Sequence, residues 1–395
     1  MAEFTLQEII DATSGTCKGD VSLQFKDIST DTRTIEAGYV FVALKGDTFD
    51  GHDFIKTAIE KGATAAIVEK GRSVDGIICV EVENTLKAYQ DLANFHRRRF
   101  QIPVVAITGS SGKTTTKEMV AAVLSTEFNI LKTEKNFNNE IGLPKTLLQL
   151  SPEHEACVVE MGMRGLGQIE ELALIAEPTI GIITNVGTSH IELLGSQEAI
   201  AEAKGELIRC LGPDSVAILN EDDHFVKAMS SIAKGKTVTY GIHSNATVIG
   251  SHLRYKKDGI KFTCKCYDEV FDVFLPMIGE HNVYDALAAI AAGRVLGVKS
   301  SKIKKGLSDF TGTPMRQEIV AFEDIVILND AYNANPSSMT ESIKALGQLE
   351  GKRKIAMLGD MLELGDFTEE GHRQVGRLLA EEGYSVVFTL SLIHI

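Results

Sequence analysis

The run VVAITGSSGKTTT at residues 104–116 has the residue types and spacing to hold the phosphates of a nucleotide. Gly109 and Gly112 free the backbone so that its N–H groups can turn inward around phosphate oxygens. The start of the following helix adds positive potential. Gly109, Ser110, Ser111, Gly112, Lys113, Thr114 and Thr115 are the candidate nucleotide contacts of this loop. Lys113 is expected to reach the β- and γ-phosphates, and the Thr114 hydroxyl a Mg2+ ion. The longer phosphate-loop pattern wants glycine where Ile107 stands, so the motif here is the shorter G-x-x-G-K-T.

A metal-assisted phosphoryl transfer needs a carboxylate on a neighbouring strand. Glu160 lies in the apolar run CVVEM, at the carboxyl end of a strand, where α/β sheets place ligand groups. A glutamate at a strand end is ordinarily just solvated; its position inside an apolar run favours a metal role. His190, in TNVGTSHI, follows another strand in the same way and is a candidate metal ligand and catalytic residue. A lone histidine is otherwise most often structural.

These residues need a scaffold, and the pattern supplies one. From residue 104 apolar strands alternate with helices: 104–108, 157–161, 181–186 and 216–220 are strand-like. Continuous apolar strands separated by helices indicate a mostly parallel sheet covered on both faces. Between 237 and 276 the period shifts to two, predicting an antiparallel ribbon, and a helix is expected over 283–296. Before this zone, short strands at 39–44 and 65–69 and helices at 54–61 and 84–99 form an N-terminal α/β region. After about 312 a third α/β pattern has strands at 319–322, 325–328 and 354–358 and helices near 337–349 and 368–382. The expected division is 1–101, 102–311 and 312–395, in keeping with a length beyond a single core.

Composition excludes several classes. The net charge of −14, from 54 acidic and 40 basic residues, argues against a nucleic-acid surface. The run His96-Arg97-Arg98-Arg99 reads as cations at a helix C-terminus. Six scattered cysteines, with Cys264 and Cys266 as a lone C-x-C, make no zinc pattern and suit a reducing compartment. No apolar run approaches bilayer length, and the N-terminus lacks the regions of a signal peptide. A soluble, cytoplasmic, monomeric protein is expected.

Taken together, GSSGKT, VVEMG, TNVGTSHIELLG and AKGEL (203–207) resemble the Mur ligase family. The distal segments GEHNVYDALAA (279–289), TPMRQE (313–318) and NDAYNANPSSM (329–339) also fit. The last of these, with LGDMLELG (358–365) and KNFNNEIGLP (135–144), is similar to the branch that adds a dipeptide. The resemblance implies three domains: an N-terminal UDP-sugar domain, a central ATP domain and a C-terminal Rossmann-like domain. It also implies an ATP-dependent ligase, with two Mg2+ ions, that joins D-alanyl-D-alanine to UDP-N-acetylmuramoyl-tripeptide through an acyl phosphate.

By the same resemblance, Asp31, Thr32 and Arg33, with Gly46, Asp50, Gly51 and His52 of segment 45–52, match nucleotide-sugar contacts. Asn136, Asn138, Asn139, Tyr332, Asn333 and Asn335 join them as substrate contacts. Lys204 matches a lysine that, once carbamoylated, helps hold the second metal; a carbamate turns a cation into an anionic oxygen ligand. Asn282, Arg316 and Asp330 match residues that hold adenine, phosphate and ribose, with Arg316 delivered from the third domain. Family members often carry Asn where this chain has Asp285, which places an extra acid near the nucleotide.

Rival readings are a tripeptide-forming Mur ligase, a folylpolyglutamate ligase, or a non-catalytic phosphate-loop switch. Residues 390–395, LSLIHI, fit no element and would be encoded by a sequencing-adapter-like stretch. They are expected to be an artefact following an incomplete third domain.

Overall fold

A computed structural model describes residues 2–18, 20–46, 48–256, 258–349 and 351–390. The expected artefactual tail, apart from Leu390, and Asp47 of the segment 45–52 lie outside the described residues. Two compact units are present. One gathers Met1–Ile102, Thr133–Glu155 and Glu171–Glu177; the other gathers Pro103–Lys132, Ala156–Glu170 and Pro178–Ile395.

The first unit is built on four parallel strands in the order Asp27–Ser29, Tyr39–Val42, Ala65–Glu69, Ile78–Val82. Phe41, Ala43, Ala66 and Val68 face Ile55 and Ala58 of the helix Ile55–Glu60 in its core. The helix Leu6–Thr13 begins on a capping box, in which Thr5 and Glu8 satisfy each other's backbone N–H groups. The basic run at 96–99 is structural. Arg97 donates to the carbonyls of Phe100, Ala176 and Glu177, Arg98 pairs with Glu177 and Arg99 with Glu8.

In the second unit nine strands make one sheet. Its order is Glu269–Leu275, Gly259–Cys266, Val248–Lys256, Lys236–Gly241, Val216–Asn220, Ile180–Ile183, Val104–Thr108, Ala156–Glu160, Ile130–Lys132. The expected parallel sheet is present, but the ribbon begins later than its period suggests. Lys236–Gly241 pairs in parallel with both Val216–Asn220 and Val248–Lys256, and only the last three strands are antiparallel. An edge-side strand with one half-polar face alternates whichever way its neighbours run, so period two did not reveal direction. The chain fills the Ile130–Lys132 and Ala156–Glu160 positions on one side of Val104–Thr108, then crosses to Ile180–Ile183 on the other. That reversal is a topological switch point, where α/β sheets open a crevice at the strands' carboxyl ends.

Helices Lys113–Leu124 and Glu280–Val295 cover the sheet, packing Met119, Val120, Val123, Leu287 and Ile290 against Val105, Ile107 and Ile182. The 280–295 helix starts three residues earlier than expected, and a further helix, Ser300–Ser308, follows it. Beyond it, the antiparallel pair Glu318–Phe322 and Ile325–Asn329 leaves Val320, Phe322, Ile325 and Ile327 exposed. Ile355–Leu358 pairs in parallel with Val386–Thr389, a strand the pattern did not mark. Helices Pro336–Gly347 and Thr368–Glu381 join Ala356 in a separate small core of Met339, Ile343, Met361, Leu364, Val375 and Leu379.

Candidate active site

The phosphate-type loop leaves the carboxyl end of Val104–Thr108 at the switch point. Its tightness explains its glycines. Gly112 holds φ +75°, and a Cβ on Gly109 would lie 1.8 Å from Thr184 Oγ1. The segment after Ile180–Ile183 holds the loop's other side. Ser110 N–H donates to Asn185 O, Ser111 N–H to Asn185 Oδ1, Gly187 N–H to Ser110 Oγ, and Thr184 Oγ1 to Ser111 O. The TNVG motif is therefore the brace of the loop. Buried Thr115 continues into the helix Lys113–Leu124.

Lys113 curls back over this loop, its Nζ donating to Gly109 O at 2.8 Å and Ser110 O at 3.4 Å. Burial holds its ammonium below the usual lysine range; Glu160 opposes this and Arg316 adds to it. The Thr114 hydroxyl donates to Glu160 Oε2 at 3.0 Å, so the two oxygens expected at a metal lie side by side. Glu160 itself is buried.

Lys204, on the helix Gln197–Cys210, is 1% exposed and has no ion pair among the described residues. Burial drives its pKa well below the ordinary value, and the Lys113 charge lowers it further. The same helix carries Glu206, which accepts from the N–H groups of Gly167 and Glu170. His190 sits in the left-handed region at φ +65°, and its Nδ1 meets Glu363 Oε2 at 2.7 Å. Burial holds this imidazole below its usual range, Glu363 acting the other way. Among the described residues no three His, Cys, Asp or Glu side chains group into a metal cage. The oxygens of Thr114 and Glu160 are hard donors that suit Mg2+, which takes much of its shell from phosphate and water. A Lys204 ammonium does not suit it; a carbamoylated Lys204, which presents anionic oxygen, does.

Arg316 reaches this site from the third sequence zone, with its guanidinium stacked 3.9 Å from the centre of the Tyr332 ring. Asn282 and Asp330 are linked by a residue that sequence reasoning missed. Gln317 Oε1 accepts from Asn282 Nδ2 at 2.9 Å and from His281, while Gln317 N–H donates to Asp330 Oδ1. Ser342 donates to the other Asp330 oxygen. Two more expected contacts serve the backbone locally: Asn335 caps Pro336–Gly347, and Asn333 Oδ1 accepts from Ala334 N–H.

The first unit holds the remaining expected residues. Arg33 donates to both oxygens of Asp31 and holds its carboxyl down at about 2. Thr32 lies between them in the turn. The N–H and side chain of His52, with Arg72, hold Asp50 at about 2 as well. Glu69 N–H donates to His52 Nε2, so His52 Nδ1 carries the proton shared with Asp50. Gly46 N–H donates to Phe49 O, and Gly51 N–H to Leu44 O. Asn138 N–H donates to Asn136 O, and Asn139 Oδ1 accepts from Gly142 N–H, in a loop belonging to this unit.

Family models match nearly the whole chain: the Mur ligase family catalytic domain at residues 24–107, the Mur ligase middle domain at 107–293, and the Mur ligase glutamate ligase domain at 315–392. The chain is 44% identical to the UDP-N-acetylmuramoyl-tripeptide–D-alanyl-D-alanine ligase of Synechocystis, over 93% of this chain and 80% of that one. It is 39% identical to the enzyme of that name from Bacillus subtilis, over 98% and 85%. Among solved structures, MurF from Acinetobacter baumannii superposes with a TM-score of 0.93 at 35% identity, covering 98% of this chain and 85% of that one. MurF ligase from Thermotoga maritima in complex with ADP gives 0.86 at 30%, covering 92% and 84%. With sequence, domain models and backbone in agreement along its length, the chain belongs to the Mur ligase family.

Proposed function

We propose that this chain is an ATP-dependent amide ligase joining D-alanyl-D-alanine to UDP-N-acetylmuramoyl-tripeptide in peptidoglycan precursor synthesis. The observation that carries the reading is the braced GSSGKT loop at the switch point, in a chain 44% identical to a ligase of that name. Residues 1–101 serve the UDP-linked substrate, 102–311 ATP, and 312–395 adenosine and the incoming dipeptide.

A peptide carboxylate is a poor acyl donor, since its charge and resonance repel an amine. An oxygen of the tripeptide's terminal carboxylate attacks the γ-phosphorus, the bond to the bridging oxygen breaks, and ADP leaves. The dipeptide amine then attacks the acyl carbon and loses its proton, and inorganic phosphate departs with the C–O electron pair. No side-chain nucleophile is needed, so positioning and electrostatics carry the rate. Lys113 and Arg316 meet the charge on the transferring phosphoryl group. Asn282 and Asp330, through Gln317, position the nucleoside, and Tyr332 orients Arg316. Mg2+, when bound, supplies further charge neutralisation at the phosphate oxygens. Thr114 and Glu160 would hold one ion, and His190 with a carbamoylated Lys204 would hold the second.

The six cysteines form no disulfide among the described residues, which fits a reducing compartment and supports a cytoplasmic site of action. No helix among the described residues is long and apolar enough to cross a membrane. The test is phosphate release from ATP. Release that requires both UDP-N-acetylmuramoyl-tripeptide and D-alanyl-D-alanine supports the ligase. ATP binding with no acceptor-dependent turnover would replace it with a nucleotide switch.

A further inference from the structure

A carboxylic acid sits directly behind the phosphate loop, where a negative charge opposes the loop's purpose. Asp285, on the helix Glu280–Val295, is 6% exposed. A Cβ on Gly112 would meet its Oδ1 at 2.7 Å and both its Cγ and Oδ2 at 3.4 Å, so the whole carboxyl group faces the loop. Thr116, in the first turn of the helix Lys113–Leu124, donates to the same Oδ1.

The N-terminus of that helix is the positive end on which affinity for phosphate depends. A carboxylate and a phosphate placed there draw on the same partial charge and repel each other, the more so where water is excluded. Protonation removes the conflict. A neutral acid still accepts from Thr116 and puts no charge beneath the phosphates.

Nothing nearby cancels the charge of the ionised form. The titratable groups facing Asp285 are His281, on its own helix, and Tyr240, from the strand Lys236–Gly241. His281 Nδ1 lies 3.3 Å from Glu341 Oε2, so its positive charge already has an anion. Burial pushes the Tyr240 phenol well above its usual range and keeps it neutral. On the phosphate-loop helix, Lys113 donates to Gly109 O and Ser110 O, and Lys117 pairs with Glu118. The strand Val216–Asn220 has no titratable residue, and the cations of Val248–Lys256 and Gly259–Cys266 are exposed. The helix Ser300–Ser308 meets the Asp285 helix at Gly293, about two turns further on. Burial pushes the Asp285 acid up to about 7, so its charge changes near neutral pH.

We propose that Asp285 makes nucleotide affinity proton-linked: ATP and ADP bind the chain with this carboxyl protonated, and its ionisation weakens them. The proposal rests on the nucleotide reading of the loop given above and adds a regulation to that site. By linkage, a bound phosphate favours the neutral acid, so binding above neutral pH takes up a proton.

The test is calorimetry of ADP binding to the full chain with saturating Mg2+, in two buffers of different ionisation enthalpy. At pH 8 the wild type is expected to take up about half a proton or more on binding, and Asp285→Asn close to none. Asparagine, which family members often carry here, can keep the Thr116 hydrogen bond and cannot ionise. The two affinities should agree near pH 6, and at pH 8.5 the variant should bind about 10-fold tighter. Lys113 and the candidate metal ligands are unaltered, so the pH dependence they contribute is common to both proteins. Thr116→Val, which removes a hydrogen bond that favours the ionised form, should move the fall in affinity to higher pH. Equal proton uptake in wild type and Asp285→Asn overturns the proposal and leaves the nucleotide reading standing. Should Asp285→Asn not fold, an unmoved profile in Thr116→Val overturns it in the same way. If the wild type binds no ADP at any pH, both fall.

Discussion

The Thr116 hydroxyl donates a 2.7 Å hydrogen bond to Asp285 Oδ1, tying the first turn of the phosphate-loop helix to the helix Glu280–Val295. The same carboxyl fills the space beneath Gly112, where an added Cβ would lie 2.7 Å from Oδ1. Burial pushes this acid up to about 7, with the Thr116 hydrogen bond and the His281 charge pulling the other way.

Asp285→Asn is therefore expected to change the pH dependence of stability. An acid whose folded pKa is raised contributes stability that is present below its unfolded value near 4 and lost as pH rises through 7. Denaturant unfolding at about pH 3, below both values, should find wild type and variant nearly equal. At pH 8 the variant should be more stable by on the order of 4 kcal/mol. A difference that does not vary with pH would show that burial does not raise the Asp285 carboxyl in the folded protein.

Gly109→Ala should impair nucleotide binding through Thr184. The new Cβ would lie 1.8 Å from Thr184 Oγ1, so the loop or its brace must move. Overpacking of this kind costs about 1–3 kcal/mol. Adding Thr184→Ala removes the clashing oxygen and should recover part of the ATP affinity measured by calorimetry. No recovery in the double variant would place the defect elsewhere.

Lys113→Ala and Arg316→Ala should separate chemistry from acceptor binding. On the proposed mechanism each removes a cation from the transferring phosphoryl group, so turnover should fall about 100-fold or more. Affinity for UDP-N-acetylmuramoyl-tripeptide should change little. Near-normal turnover in Lys113→Ala would sink the phosphate-loop assignment. Loss of acceptor affinity alone in Arg316→Ala would contradict its role at the γ-phosphate.

Glu363→Gln tests the histidine's orientation. Glu363 meets His190 Nδ1 at 2.7 Å; on the proposed metal role of His190, such a partner sets the position of the ring. The Mg2+ concentration for half-maximal turnover should rise about 10-fold. An unchanged Mg2+ titration would leave Glu363 as a surface contact only.

What could be read from the sequence was local or carried by resemblance. GSSGKT announces its turn, its helix and its lysine within a few residues, and the strand Val104–Thr108 falls where the apolar run placed it. Glu160 was legible because a charge inside an apolar strand is conspicuous. Gln317 and Glu363 were not, because their roles depend on Asn282 and His190, far away in the chain. Nor could the pattern show that Asn335 caps a helix, since a capping asparagine and a substrate-binding one have the same side chain.

The helix Thr85–Arg98 is anchored by residues that come much later in the chain. Gln90 donates to Glu140 O, His96 meets Leu150 O, Asn94 donates to Leu174 O and Ile175 O, and Arg97 to Ala176 O. On the ribosome, the N-terminal unit therefore waits for residue 177 before its last partners exist. At elongation rates of about 5–20 residues per second, that is a delay of several seconds. During it, the buried side of this helix is open to chaperones, and a fragment cut at residue 102 keeps it open permanently.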